Sequence, residues 1–233
     1  MPKLEGLSLK KDEPLVDVLE VLYDKIASMF SKDASGHSID HLKRTLSYAL
    51  QLQEIEGGDR VVVGVAAFIH DIHRILGSEV GRFVSPKESL PVVEKLLEGT
   101  KLTQEQKQHI LYAVEHHEEY NFGNEKVSVS DIESKILQDA DNLDAIGAIG
   151  IIRTIKYGQA HKVIEYDPSV PFYQNDFSES KEDASTIHHI YNKLLRLGEN
   201  MNTEAARKFA KVKTDLMKNF LDMYVEEFNG RLK

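Results

Sequence analysis

Residues 61–71 read Val61-Val62-Val63-Gly64-Val65-Ala66-Ala67-Phe68-Ile69-His70-Asp71. Nine apolar residues lead straight into an imidazole and a carboxylate, and the fold turns on how the nine are read. Periodicity leaves the run ambiguous, because a buried strand and a buried helix both present continuous apolar surface, and β-branched valines suit a strand. The polar pair needs an explanation either way. Buried charge is expensive unless it is paired or coordinated to a metal, although polar residues after a core segment also simply end it.

The sequence on either side is written for helices. Ser85-Pro86-Lys87-Glu88, Thr103-Gln104-Glu105-Gln106 and Ser130-Asp131-Ile132-Glu133 each place a hydroxyl residue three positions before Glu or Gln. That spacing predicts a capping box, in which two orphan backbone donors are satisfied reciprocally, and Pro86 falls where its missing N–H costs nothing. Beyond a Thr203 cap, Ala206, Phe209, Ala210, Met217, Phe220, Leu221, Tyr224 and Phe228 recur at helical intervals, the stripe of an amphipathic helix packed on the rest. Further helices are expected over 14–31, 37–55, 145–157 and 182–198. Residues 158–180, with Pro168, Pro171, Tyr166, Phe172 and Tyr173, lack a sustained period. A loop of that length is usually functional or disordered, so a substrate-covering lid is one expectation for it.

Composition narrows the class. A chain of 233 residues that is 41% hydrophobic can bury one core, expected over residues 14–233 behind a loose tail at 1–13. With no cysteine, any metal must be held by nitrogen and oxygen. A net charge of -9 argues against broad attraction to polymeric nucleic acid or an anionic membrane, while a local basic pocket for a small phosphorylated molecule stays open. The first residues lack the basic and apolar regions of a signal segment, and the run at 61–69 is about half a bilayer span. These features predict a soluble, cytoplasmic protein and leave its oligomeric state open.

Four side chains able to share one ion lie on three separate segments: His41, the pair His70-Asp71, and Asp141 within Gln138-Asp139-Ala140-Asp141-Asn142-Leu143-Asp144. Over 37–55, Leu42, Leu46, Ala49 and Leu50 make a core stripe, which leaves His41, Arg44, Thr45 and Tyr48 on a neighbouring face. His37 is a rival at the His-x-x-x-His spacing, without the adjacent Glu of a zincin site. In the helix from about 131, Ile132, Ile136, Ala140, Leu143 and Gly147 make the stripe, and Asp141 shares an edge row with Leu137, Asp144 and Ala148. Each has an ordinary alternative, as a partly buried histidine, a helix end or a solvated acidic face.

The ordered set His, His-Asp, Asp resembles the HD-domain superfamily of metal-dependent phosphohydrolases. Asp40-His41-Leu42-Lys43-Arg44, Phe68-Ile69-His70-Asp71-Ile72 and the stretch from Gln138 to Ile149 are similar to a bacterial subgroup associated with nucleotide pyrophosphohydrolase activity, and the resemblance runs over residues 14–230. It implies an all-α, multi-helix HD-domain fold, a helix over 60–75, and one divalent ion held by His41, His70, Asp71 and Asp141. Asp139 and Asp144 would orient ligands or tie helices together. Two imidazoles and two carboxylates suit Mn, Fe, Co, Ni, Zn or, less well, Mg, with room for a water and a phosphate oxygen.

Asp71 then stands at the catalytic centre. Arg44 and Arg74 are expected to bind phosphate and stabilise developing charge, with His73 as a candidate proton relay. His117, in His116-His117, resembles histidines that some members use for phosphate or a second metal, a surface role being the alternative. Lys193 resembles a basic position reaching the substrate. The implied reaction is hydrolysis of a nucleoside triphosphate to monophosphate and pyrophosphate. The alternatives are a phosphomonoesterase or phosphodiesterase at the same centre, or a non-catalytic module binding a nucleotide or protein.

Overall fold

Residues 60–75 form two helices rather than the single one expected. Helix α3 (Arg60–Ile69) ends at His70, Asp71 takes φ -88° and ψ 14°, and α4 (Ile72–Val80) starts afresh. The His70-Asp71 pair is therefore a joint. The computed structural model describes residues 9, 13–31, 37–119, 129–172 and 184–231, and these contain helices and no strand. The apolar run is helical because α3 lies inside the domain, where a helix can be hydrophobic all round, and Val62–Ile69 are buried throughout. By composition Arg60–Val80 could cross a membrane, but 72% of its most apolar window is buried within the protein. Gly64 lets α1 close in, since a Cβ there would lie 2.6 Å from Leu15 Cδ2.

Around α3 stand α1 (Pro14–Phe30), α2 (Ile39–Glu56), α6 (Gln104–His116) and α7 (Ile132–Ala145), with α5 (Pro86–Leu97) on α6 and α8 (Gly147–Ala160) on α7. The short α9 (Thr186–His189) continues through a π turn (Ile190–Leu194) into α10 (Leu195–Glu199), and α11 (Glu204–Phe228) follows. Helix α2 packs on both α3 and α7, α1 and α6 cover α3, and α11 lies on α8 and α10. Leu42, Leu46, Leu50, Phe68, Ile69, Ile136 and Leu137 are fully buried at this centre, each contributing roughly 1.5–3 kcal/mol. Helix α7 also buries Gln138, Asp139, Asn142 and Asp144, so almost every face of it is inside.

The boxes at Ser85 and Thr103 form as read, and Thr203 caps α11. The third shifts by one residue. Asp131, not Ser130, accepts the Ser134 N–H at 2.7 Å, while Glu133 reaches across to accept the Asp59 N–H at 2.7 Å. Its carboxylate thus serves the loop ahead of α3 instead of its own helix. On α11 the buried stripe is Ala206, Ala210, Thr214, Met217 and Leu221, and the expected core residues Phe209 and Phe228 stand exposed.

Helix α8 runs three residues beyond its expected end, and residues 161–172 are tied to the helices after them. Tyr166 stacks on Phe172 and His188, and His188 Nε2 donates to the Val170 carbonyl at 2.9 Å. The Thr186 and Ile187 N–H groups donate to the Ile164 and Glu165 carbonyls, supplying partners that the start of α9 otherwise lacks. The rest of the expected lid, 173–180, the start of the helix expected from 182, and most of the tail at 1–13 lie outside the described residues.

Candidate metal centre

The α3–α4 joint delivers His70 and Asp71 to the point where α2 presents His41 and α7 presents Asp141. His41 Nε2 lies 3.3 Å from His70 Nε2, 3.1 Å from Asp71 Oδ2 and 3.5 Å from Asp141 Oδ1. His70 Nε2 lies 3.6 and 3.7 Å from the same two oxygens. Ligands about 2.1 Å from an ion and at right angles to one another stand about 3 Å apart, so the four atoms are already near coordination spacing. Both imidazoles are fully buried.

The other ring nitrogens fix the tautomers. His70 Nδ1 sits 3.0 Å from the Ala67 carbonyl, which only accepts, so that nitrogen carries the proton. His41 Nδ1 likewise donates to Asp144 Oδ2 at 2.7 Å. The two Nε2 atoms therefore face each other lone pair to lone pair, an arrangement that calls for a proton or a cation between them. Burial pulls the His70 imidazole down, but Asp71 and Asp141 outweigh it and push the group up to about 9. Burial pushes both aspartates up, yet the surrounding histidines hold them well below the usual carboxylate range. The field here favours positive charge, and a divalent ion tolerant of nitrogen and oxygen fits the donors.

Behind His41, the buried Asp144 also accepts from Arg44 Nε at 2.6 Å, Arg44 Nη2 at 3.0 Å and Arg153 Nη1 at 2.8 Å. Burial pushes its carboxyl up, but the bonds from His41 and Arg44 outweigh this and hold it at about 2. Arg44, expected on substrate phosphate, thus has both of its described bonds on Asp144. Asp139 faces the other way and accepts the Asn202 N–H at 2.7 Å, the Thr203 N–H at 2.8 Å and the Thr203 hydroxyl at 2.7 Å. Of the two supporting aspartates, Asp144 orients a candidate ligand and Asp139 ties α7 to the start of α11.

His73, Arg74, His117 and Glu118 gather on the far side. His117 Nδ1 donates to the Val114 carbonyl at 2.7 Å, and its Nε2 points toward Asp71 Oδ1 at 3.9 Å. Burial, reinforced by His70, pulls His117 down to about 4. His73 Nδ1 faces the His70 carbonyl at 3.3 Å, with Nε2 3.4 Å from Glu118 Oε2. Arg74 pairs with Glu118 and stands 3.8 Å from Asp71 Oδ1. His116 turns outward to Glu119 and Tyr112. Lys193 lies half-buried in the π turn.

Three participants escaped sequence reading. His37, weighed only as a partner for His41 by spacing, bonds Asp71 Oδ2 at 2.8 Å. Glu118 sits beside His117 with no pattern to mark it. Arg153 reaches Asp144 because the chain reverses between α7 and α8: Ile146 is extended, Gly147 takes φ +75°, and a Cβ on Gly150 would lie 2.1 Å from the Ala145 carbonyl oxygen. No local sequence signal announces that turn angle.

The fold and the centre define a class. The HD domain matches residues 38–146, the stretch that carries all four candidate ligands. A solved HD-superfamily hydrolase from Bacillus thuringiensis is 31% identical, covering 94% of this chain and 100% of that chain at a TM-score of 0.69. The chain belongs to the HD superfamily and is a metal-dependent phosphohydrolase. Among its relatives, the uncharacterized protein YpgQ of Bacillus subtilis is 28% identical over 205 residues, 88% of this chain and 91% of the relative. The crystal structure of YpgQ in complex with ADP matches at a TM-score of 0.69, with 25% identity over 92% of this chain and 96% of that one.

Proposed function

We propose that the chain hydrolyses nucleotides at one divalent ion held by His41, His70, Asp71 and Asp141, and that its preferred substrate is a nucleoside triphosphate cut to monophosphate and pyrophosphate. The observation that carries this reading is the pair of Nε2 atoms 3.3 Å apart, flanked by two carboxylates. An ion bound there supplies a Lewis acid for a phosphoryl oxygen and lowers the pKa of water.

The chain's own residues position and balance charge. Asp144 and the Ala67 carbonyl hold the two imidazoles in the ligating tautomer. Arg44 and Arg153 bring two positive charges to the single carboxylate of Asp144, which leaves surplus positive charge beside the centre for phosphate oxygens. Arg74, 37% exposed and next to Asp71, offers a second cationic contact on the opposite side. His117 Nε2, buried and aimed at Asp71, is placed to accept a hydrogen bond from water or substrate.

The nucleotide class draws support from the ADP bound by YpgQ, and the choice of bond from the resemblance of residues 138–149 to pyrophosphohydrolases. The test is to strip the protein of metal, reload it separately with Mn²⁺, Fe²⁺, Co²⁺, Ni²⁺, Zn²⁺ or Mg²⁺, and assay a nucleotide panel for pyrophosphate and orthophosphate independently. Metal-dependent pyrophosphate release is expected. Orthophosphate alone would make the protein a phosphomonoesterase, and silence with every metal would reject nucleotide hydrolysis.

A further inference from the structure

Helix α11 carries a second apolar row, of which only Phe220 is partly packed against the core. Phe209 (47% exposed), Val212 (73%), Leu216 (45%) and Met223 (58%) lie along one outer face, with Phe220 half-buried among them. At 3.6 residues per turn these five fall within about 80° of arc, roughly a third of a turn from the stripe that packs on the core. Single apolar residues on a surface are ordinary, whereas a contiguous row marks an interaction face.

The row is symmetric about Leu216. Val212 and Phe220 stand four residues to either side, and Phe209 and Met223 seven. Intervals of three and four are those of a helix–helix seam. A row that reads the same in both directions is what an antiparallel pairing about a two-fold axis requires, because each residue then meets its mirror position. Leu216 would face itself, Val212 would face Phe220, and Phe209 would face Met223.

Charge follows the same symmetry. The first half of α11 holds Arg207, Lys208, Lys211 and Lys213 against Glu204 and Asp215, and the second half holds Asp222, Glu226 and Glu227 against Lys218, so the two halves carry net charges of +2 and -2. Antiparallel pairing lays the basic half against the acidic half, whereas parallel pairing would set like against like. Lys208 and Glu226 occupy the same flank of the seam and fall within about 3 Å of level across the axis, at 1.5 Å rise per residue. Such pairs fix orientation more than affinity. Beside the row, α2, α7 and α11 enclose a cavity of about 80 Å³ lined by Tyr48, Gln51, Leu52, Leu143, Phe209 and Lys213. It opens next to the position that would receive Met223 of the second copy, a side chain flexible enough to fill it.

We propose that the protein is a two-fold homodimer joined through antiparallel α11 helices centred on Leu216. The chain has no cysteine, so an introduced thiol reports its own neighbour. Under copper–phenanthroline oxidation, Leu216→Cys is expected to link to its second copy in high yield. Phe209→Cys and Met223→Cys are expected to link to each other when mixed and far less to themselves. Leu216→Glu should move the mass seen by light scattering from two chains to one, with helicity by circular dichroism unchanged. Lys208→Glu or Glu226→Lys should each weaken the dimer and the double exchange should restore it. A wild-type chain of single mass at high micromolar concentration would overturn the proposal. So would a Leu216→Glu chain that stays dimeric, or equal self-linking of all three thiol variants, the signature of a parallel pair.

Discussion

His41 and Asp144, 103 residues apart in the chain, share a 2.7 Å hydrogen bond in which Nδ1 donates to Oδ2. Because that bond fixes which nitrogen of His41 faces the centre, its loss is predicted to weaken metal binding without removing a ligand. Partners of this kind typically govern affinity by roughly 10–100-fold. Asp144→Ala should show a drop of that size when apo-protein is titrated against a competing chelator, with turnover recovered in excess metal. An unchanged affinity would take Asp144 out of this role.

The ion itself should stabilise the fold. Without it the centre holds two carboxylates and a His70 imidazole pushed up to about 9, a costly set of buried charges. A ligand that binds only the folded state contributes about 2.7 kcal/mol at a hundredfold excess over its Kd. Thermal unfolding with and without chelator should therefore differ by several degrees. Asp141→Ala should abolish both that difference and turnover while the helical signal remains.

Asp139 gives the opposite signature. Its carboxylate accepts from the backbone at Asn202 and Thr203 and from the Thr203 hydroxyl, and hydrogen bonds to charged groups contribute about 1.5–3 kcal/mol each. Asp139→Ala is expected to lower unfolding free energy in urea by about 3 kcal/mol or more, with metal affinity at low temperature unchanged. Asp139→Asn should cost less, since the amide oxygen can still accept and burial already pushes this carboxyl up.

Gly64→Ala tests the close approach of α1 to α3. Alanine gains about 1 kcal/mol of helix propensity, but its Cβ would fall 2.6 Å from Leu15 Cδ2, and overpacking a core costs about 1–3 kcal/mol. A net loss of stability is expected. Leu15 is buried in the core, so Leu15→Ala alone should cost about 2–5 kcal/mol; the double variant is expected to lose less than the sum of the two single losses, and a double-mutant cycle with additive terms would show that the two residues do not collide.

What could be read in the sequence was whatever a few adjacent residues determine. The caps at Ser85, Thr103 and Thr203 depend on positions three apart, and all three form. His41, His70, Asp71 and Asp141 were legible through an ordered pattern, and the fold brings them together. The rest depended on geometry between elements. Arg44 and Arg74 showed their charge but not their partners, Asp144 and Glu118. Arg153 meets Asp144 only through the glycine turn after α7. Ser130 and Asp131 are both fair caps, and the choice fell to Asp131 once Glu133 was drawn across to Asp59. The break at His70-Asp71 is silent in a run whose apolar content alone favours continuity.

The four convergent donors all hang from α2, α7 and the α3–α4 joint, and those helices pack against one another at the middle of the domain. Displacing one donor by an ångström means sliding a tightly packed helix past its neighbours. The centre consequently has no soft motion of its own, because the packed helices hold its donors near coordination spacing. On heating, catalytic failure and collapse of the helical core should be one event.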